Sequence, residues 1–252
     1  MVVADAQVKQ GTCIKHIQAA GKALVKEQPD VVVVGGDWWD TPSLSKFNSR
    51  KEAEGLRLKD DIKAGVVAMQ EFLKPLREYQ AKLKTNKKKM YKPRLVFITG
   101  NHDLEVRVNR LYEELPQLEG TIMIPTPSSF GFEVYPFLDV VNIQGIHFSH
   151  YICNPHSLKS SPLSGTMDTM LKNAGFSFVM FHQQTFKYAK HILSNGESRV
   201  GVVAGSFYTH NEKYMGPQGN NHWRGIFFLR DVINGSGCME EIDIDRLMRN
   251  YL

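Results

Sequence analysis

The sequence has few cysteines and no long apolar run, and both absences narrow what the chain can be. Its three cysteines, Cys13, Cys153 and Cys238, are far apart and odd in number, so they suggest neither a disulfide framework nor a CxxC metal knuckle. This usage favours a reducing, cytoplasmic location. No apolar run approaches the roughly 20 residues that cross a bilayer, so we expect no membrane association. The first residues carry no basic segment or cleavage site of a secretory leader.

No internal repeat or low-complexity linker divides the 252 residues. Hydrophobic residues make up 42% of the chain and charged residues 23%, which is ordinary for a globular protein. A chain of this length and composition can bury a substantial core. We therefore expect a single domain over residues 1–252.

The net charge of +5 is only mildly basic, but much of it lies in the segment 82–94, KLKTNKKKMYKPR. This basic segment follows a helical pattern and precedes a strand pattern. Two interpretations stay open. The lysines can form a solvated helix end, where they complement the negative end of the helix dipole. They can instead form a patch that follows the phosphates of a nucleic acid.

Strand-like and helical patterns alternate in the first half of the chain. The run Val31 to Val34 is unbroken and β-branched, which is typical of a strand covered on both faces. Apolar residues recur at three-and-four spacing from Ile62 to Leu76, which indicates a helix. The second half is richer in strands and includes a hairpin turn at Gln144-Gly145. This order predicts an α/β fold with stacked sheets and helices outside them.

Five predicted strands end in polar side chains that can hold a metal ion. In open α/β sheets, ligands bind at the carboxyl ends of strands, so these segments are expected to meet at one edge. Carboxylate and amide oxygens together with imidazoles are typical ligands of divalent first-row cations. The segments are Asp5-Ala6-Gln7, GDWWD (36–40), GNHD (100–103), His150 and His182-Gln183-Gln184.

Each segment alone has an ordinary structural explanation. GNHD can be a simple turn, since Gly, Asn and Asp are common turn formers. Asp5 can cap the helix that follows it. His150 can be a satisfied structural histidine, and His147 is its rival for a ligand role. The order of the segments along the chain is what favours a functional site.

This order resembles the calcineurin-like metallophosphoesterases, whose signature runs D-x-H, GDxxD, GNH[DE], a lone His, and GHxH. GDWWD and GNHD match in full, and His150 fits the lone histidine. Gln7 and Gln184 stand where the first and last motifs have histidine, and Phe181 replaces a glycine. The resemblance covers residues 5–184 and implies a four-layer αββα sandwich of two mixed β-sheets flanked by helices. The compact form is similar to phage-encoded members, for which the location would be the host cytoplasm.

The resemblance also implies two divalent cations and one catalytic histidine. His102 would face the phosphate and either protonate the leaving oxygen or stabilise the transition state, while a hydroxide that bridges the cations attacks phosphorus. Asp103 and Asp40 would orient their neighbours, although Asp40 fits a plain turn equally well. Asp37 would bridge the two cations. The implied ligands are Asp5, Gln7, Asp37 and Gln184 for the first cation, and Asp37, Asn101, His150 and His182 for the second.

Both glutamines fall at the first of these two sites. An amide oxygen reaches about as far from the backbone as the distal imidazole nitrogen does, so the substitution replaces a nitrogen ligand with a hard, neutral oxygen. That change favours Mn²⁺, with Mg²⁺ as the alternative, and it weakens the first site relative to the second. The competing hypothesis is that the first site binds nothing and that the protein uses one metal or none.

The leading functional hypothesis is hydrolysis of phosphodiester bonds by a nuclease acting on DNA or RNA. It relies on the basic segment and on a polar loop between His210 and His222. Near that loop, Arg224 would pair with a phosphate, and Tyr214 or Trp223 would stack on a base. The alternatives are a phosphomonoesterase or nucleotidase acting on small substrates, and a non-catalytic module that binds nucleic acid. The sequence leaves the oligomeric state open.

The sequence also predicts whether four further residues lie in the core or at the surface. Trp38 and Trp39 within GDWWD are expected to pack in the core, and the alternative is a wall beside the cations. His16 and His191 fall in helical patterns and are expected at the surface.

Overall fold

The computed structural model describes residues 1–157, 159–212 and 215–252, so the stacking role suggested for Tyr214 lies outside the described residues. The chain forms two β-sheets with helices on their outer faces. The strands are β1 (Val2–Val3), β2 (Val31–Val34), β3 (Arg94–Ile98), β4 (Glu133–Tyr135), β5 (Val141–Ile143), β6 (Ile146–Ser149), β7 (Phe178–Met180), β8 (Phe186–Ile192), β9 (Ser198–Ala204), β10 (Gly225–Ile233) and β11 (Ser236–Asp243). The α-helices are α1 (Lys15–Glu27), α2 (Arg50–Ala53), α3 (Leu58–Thr85), α4 (Leu104–Glu114), α5 (Met167–Ala174), α6 (Gly216–Gly219) and α7 (Ile244–Tyr251).

The first sheet has the strand order β11-β10-β1-β2-β3-β4, and its centre is parallel. β1 pairs with β2 and β2 with β3, so that Val33 lies opposite both Val2 and Val96. Helices α1 and α3 form the crossovers between these strands, as parallel pairing requires. The three strands therefore end at the same edge. We call this edge, with the loops that leave it, the rim.

The second sheet has the order β5-β6-β7-β9-β8, in which β6, β7 and β9 are parallel. β5 and β6 form the predicted antiparallel hairpin. Its two turn residues, Gln144 and Gly145, have φ angles of 52° and 85°, as a tight hairpin turn requires. The carboxyl end of β6 meets the first sheet at the rim, where His150 contacts the backbone of Gly35.

Three sets of buried apolar side chains separate four layers of structure. The first set, which includes Phe72, lies between the first sheet and helices α1, α3 and α7. The second set lies between the sheets and joins Ile98 to Val179. The third set lies between the second sheet and α5 and includes Met170 and Phe178. The predicted αββα sandwich of two mixed sheets flanked by helices is confirmed.

Trp38 and Trp39 are fully buried in the core between the first sheet and its helices, as the sequence predicts. Their indole N–H groups donate to α3: Trp38 to the carbonyl oxygen of Gly65 at 3.0 Å and Trp39 to that of Ile62 at 3.4 Å. The two rings thus anchor the loop after β2 to α3, and they do not form a wall beside a ligand site.

The expectations for two histidines are wrong in part. His16 lies on α1 but is buried, because its ring packs edge-on against Phe207 and its Nε2 lies 3.1 Å from the Phe207 carbonyl oxygen. This burial lowers the pKa of His16 to about 4. His191 lies at the surface as expected, but in strand β8 and not in a helix, with its Nε2 2.6 Å from Asp168.

The basic segment lies at the end of the first sheet opposite the rim. It leads into Arg94, the first residue of β3, which pairs with Val31, the first residue of β2. The loop that carries GNHD begins only after Ile98, at the other end of the strand. At about 3.3 Å per residue, β3 holds the two ends about 16 Å apart. A phosphate bound at the rim is therefore beyond the reach of these lysines, and the solvated helix end is the better interpretation.

The longest helix, α3, has 28 residues but carries charged side chains in both its first and its last turn. Among the residues that the structure describes, no helix combines the length and the apolar character needed to cross a bilayer.

Candidate metal centre

Loops from both sheets bring most of the sequence-predicted residues together at the rim. Asp5 follows β1, Asp37 follows β2 and His150 follows β6, and all three side chains are buried. Asn101 and His182 are half-buried beside them. Because the strands that carry these residues belong to two different sheets, the site forms only when the sandwich is assembled.

His150 is the centre of the best-defined cluster. Its Nδ1 lies 2.8 Å from the carbonyl oxygen of Gly35, a contact that requires a proton on Nδ1 and makes Nε2 the atom that a cation would bind in place of a proton. Nε2 lies 3.0 Å from Asn101 Oδ1 and 3.5 Å from Asp37 Oδ2. One ligand atom each of Asp37, His150 and His182 lies within 4.8 Å of the others. An amide oxygen, a carboxylate and two imidazoles therefore surround a space that suits one divalent cation.

The charges at the rim also fit a cation. Burial alone would lower the pKa of His150, but the carboxylates of Asp37 and Asp5 raise it to about 9. Without a metal ion, a proton on the His150 ring therefore supplies the positive charge that these carboxylates attract. Burial, with the charge of Asp37 nearby, raises the pKa of Asp5 to about 8. Asp5 Oδ2 is buried with no hydrogen-bond partner among the described residues. A divalent cation would satisfy this oxygen and take the place of the protons.

The carboxylate of Asp103 joins the loop after β2 to the loop after β3. Its Oδ2 accepts hydrogen bonds from the backbone N–H groups of Asp37 at 2.9 Å and Gly100 at 2.7 Å. Its Oδ1 accepts from those of Trp38 at 2.9 Å and Trp39 at 3.2 Å. The last residue of GNHD thus orients the backbone of Asp37, Trp38 and Trp39 in the GDWWD turn, in line with the role that the family resemblance implies for it.

The two glutamines that replace histidine also lie at the rim. Gln7 is buried, and its backbone N–H donates to the carbonyl oxygen of Asp37 at 2.8 Å. Gln184 Oε1 accepts a hydrogen bond from the hydroxyl of Tyr208 at 2.8 Å. Tyr208 belongs to the segment after β9, which runs beside Asp5 through a bridge at Ser206. Sequence reasoning missed Tyr208, since no motif marks it and its only signal is its place after a strand.

Four of the proposed ligands have a left-handed backbone. The φ angle is 40° for Gln7, 46° for Asp37, 67° for His182 and 57° for Gln184. A residue other than glycine adopts such a conformation at a cost of order 1–3 kcal/mol, and the surrounding structure has to enforce it. Strain of this kind gathers at functional sites, and its presence here favours a functional role for the rim.

His102 is held at both its backbone and its ring. Its N–H donates to Asp37 Oδ1 at 2.7 Å, and its carbonyl oxygen accepts from the Thr41 hydroxyl at 2.8 Å. Its Nδ1 lies 3.3 Å from Asp40 Oδ1. Burial lowers the pKa of His102, but Asp37 and Asp40 outweigh that effect and raise it. Asp40 therefore orients a ring that can carry a proton, which favours this role over that of a plain turn residue.

Asp40, His210 and Glu212 form a second group with the spacing of metal ligands. Lys9 already lies among them, with its Nζ 3.0 Å from Asp40 Oδ2 and 2.6 Å from Glu212 Oε1. His210 Nε2 lies 2.7 Å from the same oxygen of Glu212. Because the ammonium group of Lys9 satisfies both carboxylates, these residues form an ion-pair network. The network ties His210 and Glu212 to Asp40 at the rim.

His147, the rival of His150, faces the hairpin. Its Nδ1 lies 3.2 Å from the Ser177 carbonyl oxygen and its Nε2 3.1 Å from Asn142 Nδ2. The side chains of these three residues lie at the opposite end of β6 from His150. The structure therefore delivers His150, and not His147, to the rim.

Arg224 and Trp223 have structural partners that replace the contacts expected with a nucleic acid. The Arg224 guanidinium donates to the carbonyl oxygens of His210 at 2.9 Å and Asn220 at 3.0 Å, and it lies 4.7 Å from the ring centroid of Tyr208. Trp223 packs on Phe186, with 4.5 Å between ring centroids. These contacts hold Arg224 against the described residues of the loop between His210 and His222, and Trp223 against Phe186 of β8.

The sequence model of the calcineurin-like phosphoesterase family matches residues 1–225, which is most of the chain. The chain belongs to the calcineurin-like phosphoesterase family. Membership makes it a hydrolase of phosphoric esters and implies a binuclear metal centre, for which the rim provides candidate ligands. No curated protein matches the chain.

The altered last motif of this phosphoesterase has a packing explanation. A Cβ atom at Gly35 would lie 2.0 Å from Cδ1 of Phe181, so the ring fills the space that a side chain at position 35 would take. Phe181 is fully buried in the core between the sheets. The carbonyl oxygen of Gly35 is also the partner of His150 Nδ1. The ring therefore packs against the backbone that orients a candidate metal ligand.

Gly35→Ala should destabilise the phosphoesterase by about 1–3 kcal/mol, because the new methyl group overlaps the Phe181 ring. Phe181→Leu in the same chain should recover part of that loss. Chemical denaturation of the four proteins of this double-mutant cycle measures the coupling. A coupling energy near zero would mean that residues 35 and 181 do not compete for space.

Proposed function

We propose that this phosphoesterase hydrolyses phosphodiester bonds with the help of two divalent cations. The proposal is supported above all by the approach of Asn101 Oδ1 and Asp37 Oδ2 to His150 Nε2, at 3.0 and 3.5 Å. When bound, the cations would supply the Lewis acidity that activates water and neutralises the charge of the phosphoryl group. The proposed ligands are Asp5, Gln7, Asp37 and Gln184 for the first cation and Asp37, Asn101, His150 and His182 for the second.

His102 is the proposed catalytic residue. The carboxylate of Asp40 near Nδ1 orients its ring and leaves Nε2 for the oxygen of the leaving group. Although burial opposes it, the field of Asp37 and Asp40 raises the pKa of His102, so the ring can hold a proton and transfer it to that oxygen. The bond from the His102 N–H to Asp37 fixes the distance between this proton donor and the proposed bridging ligand.

Mn²⁺ is the proposed metal, with Mg²⁺ as the alternative, and the first site is proposed to bind more weakly. Gln7 and Gln184 offer neutral amide oxygens where the family has imidazoles, and such oxygens favour harder cations. The hydrogen bond from Tyr208 occupies one lone pair of Gln184 Oε1 and leaves the other for a cation. Tyr208 thus fixes the direction in which this weak ligand points.

DNA or RNA is the natural phosphodiester that we propose, following the leading hypothesis of the sequence analysis. The net charge of +5 gives it no support at the rim, because the seven Lys and Arg residues of the basic segment exceed that charge. Contacts with the nucleic acid must come from residues other than the basic segment and Arg224. A phosphomonoesterase acting on small substrates is the second candidate. The position of the basic segment favours it, because Arg94 begins β3 at the end of the sheet away from the rim.

The purified protein should hydrolyse bis-p-nitrophenyl phosphate faster than p-nitrophenyl phosphate in the presence of Mn²⁺, and removal of metal with EDTA should abolish both reactions. Absorbance of the released nitrophenolate measures the two rates. The reverse preference would support the phosphomonoesterase. Absence of turnover with Mn²⁺, Mg²⁺ and Zn²⁺, together with retention of DNA, would support a non-catalytic binding module.

His102→Ala should lower kcat by about 10²- to 10⁴-fold, which is the usual contribution of a positioned general acid. The metal content, measured by elemental analysis, should stay at the level of the unaltered protein. His147→Ala is the matched control, because its ring contacts Asn142, Phe176 and Ser177 and, among the described residues, no proposed metal ligand. Its kcat should not change. Loss of metal from the His102 variant would make His102 a ligand and the proposed role wrong.

Tyr208→Phe should weaken the lower-affinity Mn²⁺ site by about 10- to 100-fold, because the hydroxyl orients Gln184 Oε1. The tighter site should keep its affinity. Calorimetric titration with Mn²⁺ resolves the two events. Tyr151→Phe serves as control, since its hydroxyl donates to the Ser160 carbonyl oxygen at 3.1 Å and to no proposed ligand. A single binding event with full turnover in the unaltered protein would contradict the two-cation proposal.

A further inference from the structure

Arg107 lies on α4, directly behind the loop that carries His102. Its backbone N–H donates to the carbonyl oxygen of Asp103 at 3.0 Å, in the first turn of the helix. Side chains on a helix lean toward the helix N-terminus. The side chain of Arg107 therefore extends back toward the turn that holds His102 and Asp103. The sequence gives no sign of this, since Arg107 belongs to no motif.

Arg107 is a mostly buried arginine whose guanidinium makes no hydrogen bond within the described structure. The residue is only 8% exposed, and its Nε has no hydrogen-bond partner. Within the described parts of the chain, no hydrogen bond or ion pair to any atom of this guanidinium is found. Arginine is almost never buried in this way unless it is paired, because removing its charge from water is costly. Such a side chain is a candidate partner for an anion that comes from outside the chain.

The acidic neighbours of Arg107 are already engaged. The carboxylates of Asp37 and Asp40 attract its charge, but neither lies close enough for an ion pair. Asp37 accepts the N–H of His102 and faces His150, while Asp40 is bound by Lys9 and faces the His102 ring. Burial lowers the pKa of Arg107, yet a guanidinium stays protonated at any physiological pH. Its positive charge is therefore left for a group that comes from outside the chain.

We propose that Arg107 binds the phosphoryl oxygens of the substrate beside His102, as a substrate-binding residue outside the family motifs. This inference rests on the proposed function. The planar fork of a guanidinium matches two oxygens of a phosphate group. The charge of Arg107 is close enough to oppose the rise in the pKa of His102, so the fork lies near the proposed proton donor. Arg110 lies about one turn further along α4, is exposed, and adds a second positive charge to this helix.

Calorimetric titration of inorganic phosphate into manganese-loaded protein tests the proposal. Arg107→Met should weaken the phosphate Kd at least tenfold with an unchanged Mn²⁺ stoichiometry. Its melting temperature in phosphate-free buffer should equal or exceed that of the unaltered protein, because an unpaired buried charge is gone. Arg77→Met removes the same charge from an exposed position on α3 and should change neither quantity. If the Met variant fails to fold, Arg107→Gln provides the same readout.

An unchanged phosphate Kd in the Arg107 variant would overturn the inference and assign the residue a structural role. This outcome is separable from failure of the proposed function. If the protein hydrolyses no phosphoester but still binds phosphate in an Arg107-dependent manner, the proposed function fails and the anion site stands. If hydrolysis occurs with the same KM and phosphate Kd in both proteins, only the role of Arg107 is wrong.

Discussion

Four backbone N–H groups point at one buried carboxylate, that of Asp103, and the geometry of the candidate centre depends on this contact. It fixes the turn that presents Asp37 relative to the turn that presents Asn101 and His102. The tryptophans that follow Asp37 then attach the same turn to α3. GDWWD and GNHD are therefore two halves of one structural unit, which explains why their joint presence in a sequence says far more than either motif alone.

Periodicity and turn chemistry were enough to predict stacked sheets with helices outside them, the tight hairpin and the edge at which the motif residues meet, whereas the four-layer αββα order was implied by the family resemblance. These features depend on local signals and on the general rule that parallel strands end together. Tyr208, Arg107 and the burial of His16 could not be predicted, because each depends on which distant segment packs over the residue. The basic segment shows a related limit, since clustering of charge along the chain does not by itself reveal at which end of a sheet that charge will lie.

The reaction class comes from the family motifs, whereas the features specific to this chain come from residues outside them. Tyr208 sets the orientation of a glutamine that replaces a histidine, and Lys9 neutralises the acidic residues next to the His102 ring. Arg107 carries a mostly buried charge near His102 whose Nε has no partner within the described structure. We propose that substrate choice and metal affinity depend on these side chains, which a comparison of motifs alone would overlook.

The contact between Phe181 and Gly35 also limits the order in which substitutions can accumulate in this chain. While the ring is present, any larger residue at position 35 overlaps it. A variant with the glycine of the usual motif at position 181 would leave a void in the core between the sheets. A side chain at position 35 therefore requires a smaller apolar residue at position 181. Substitutions in this motif are therefore limited by the volume available in the core as well as by the requirements of metal binding.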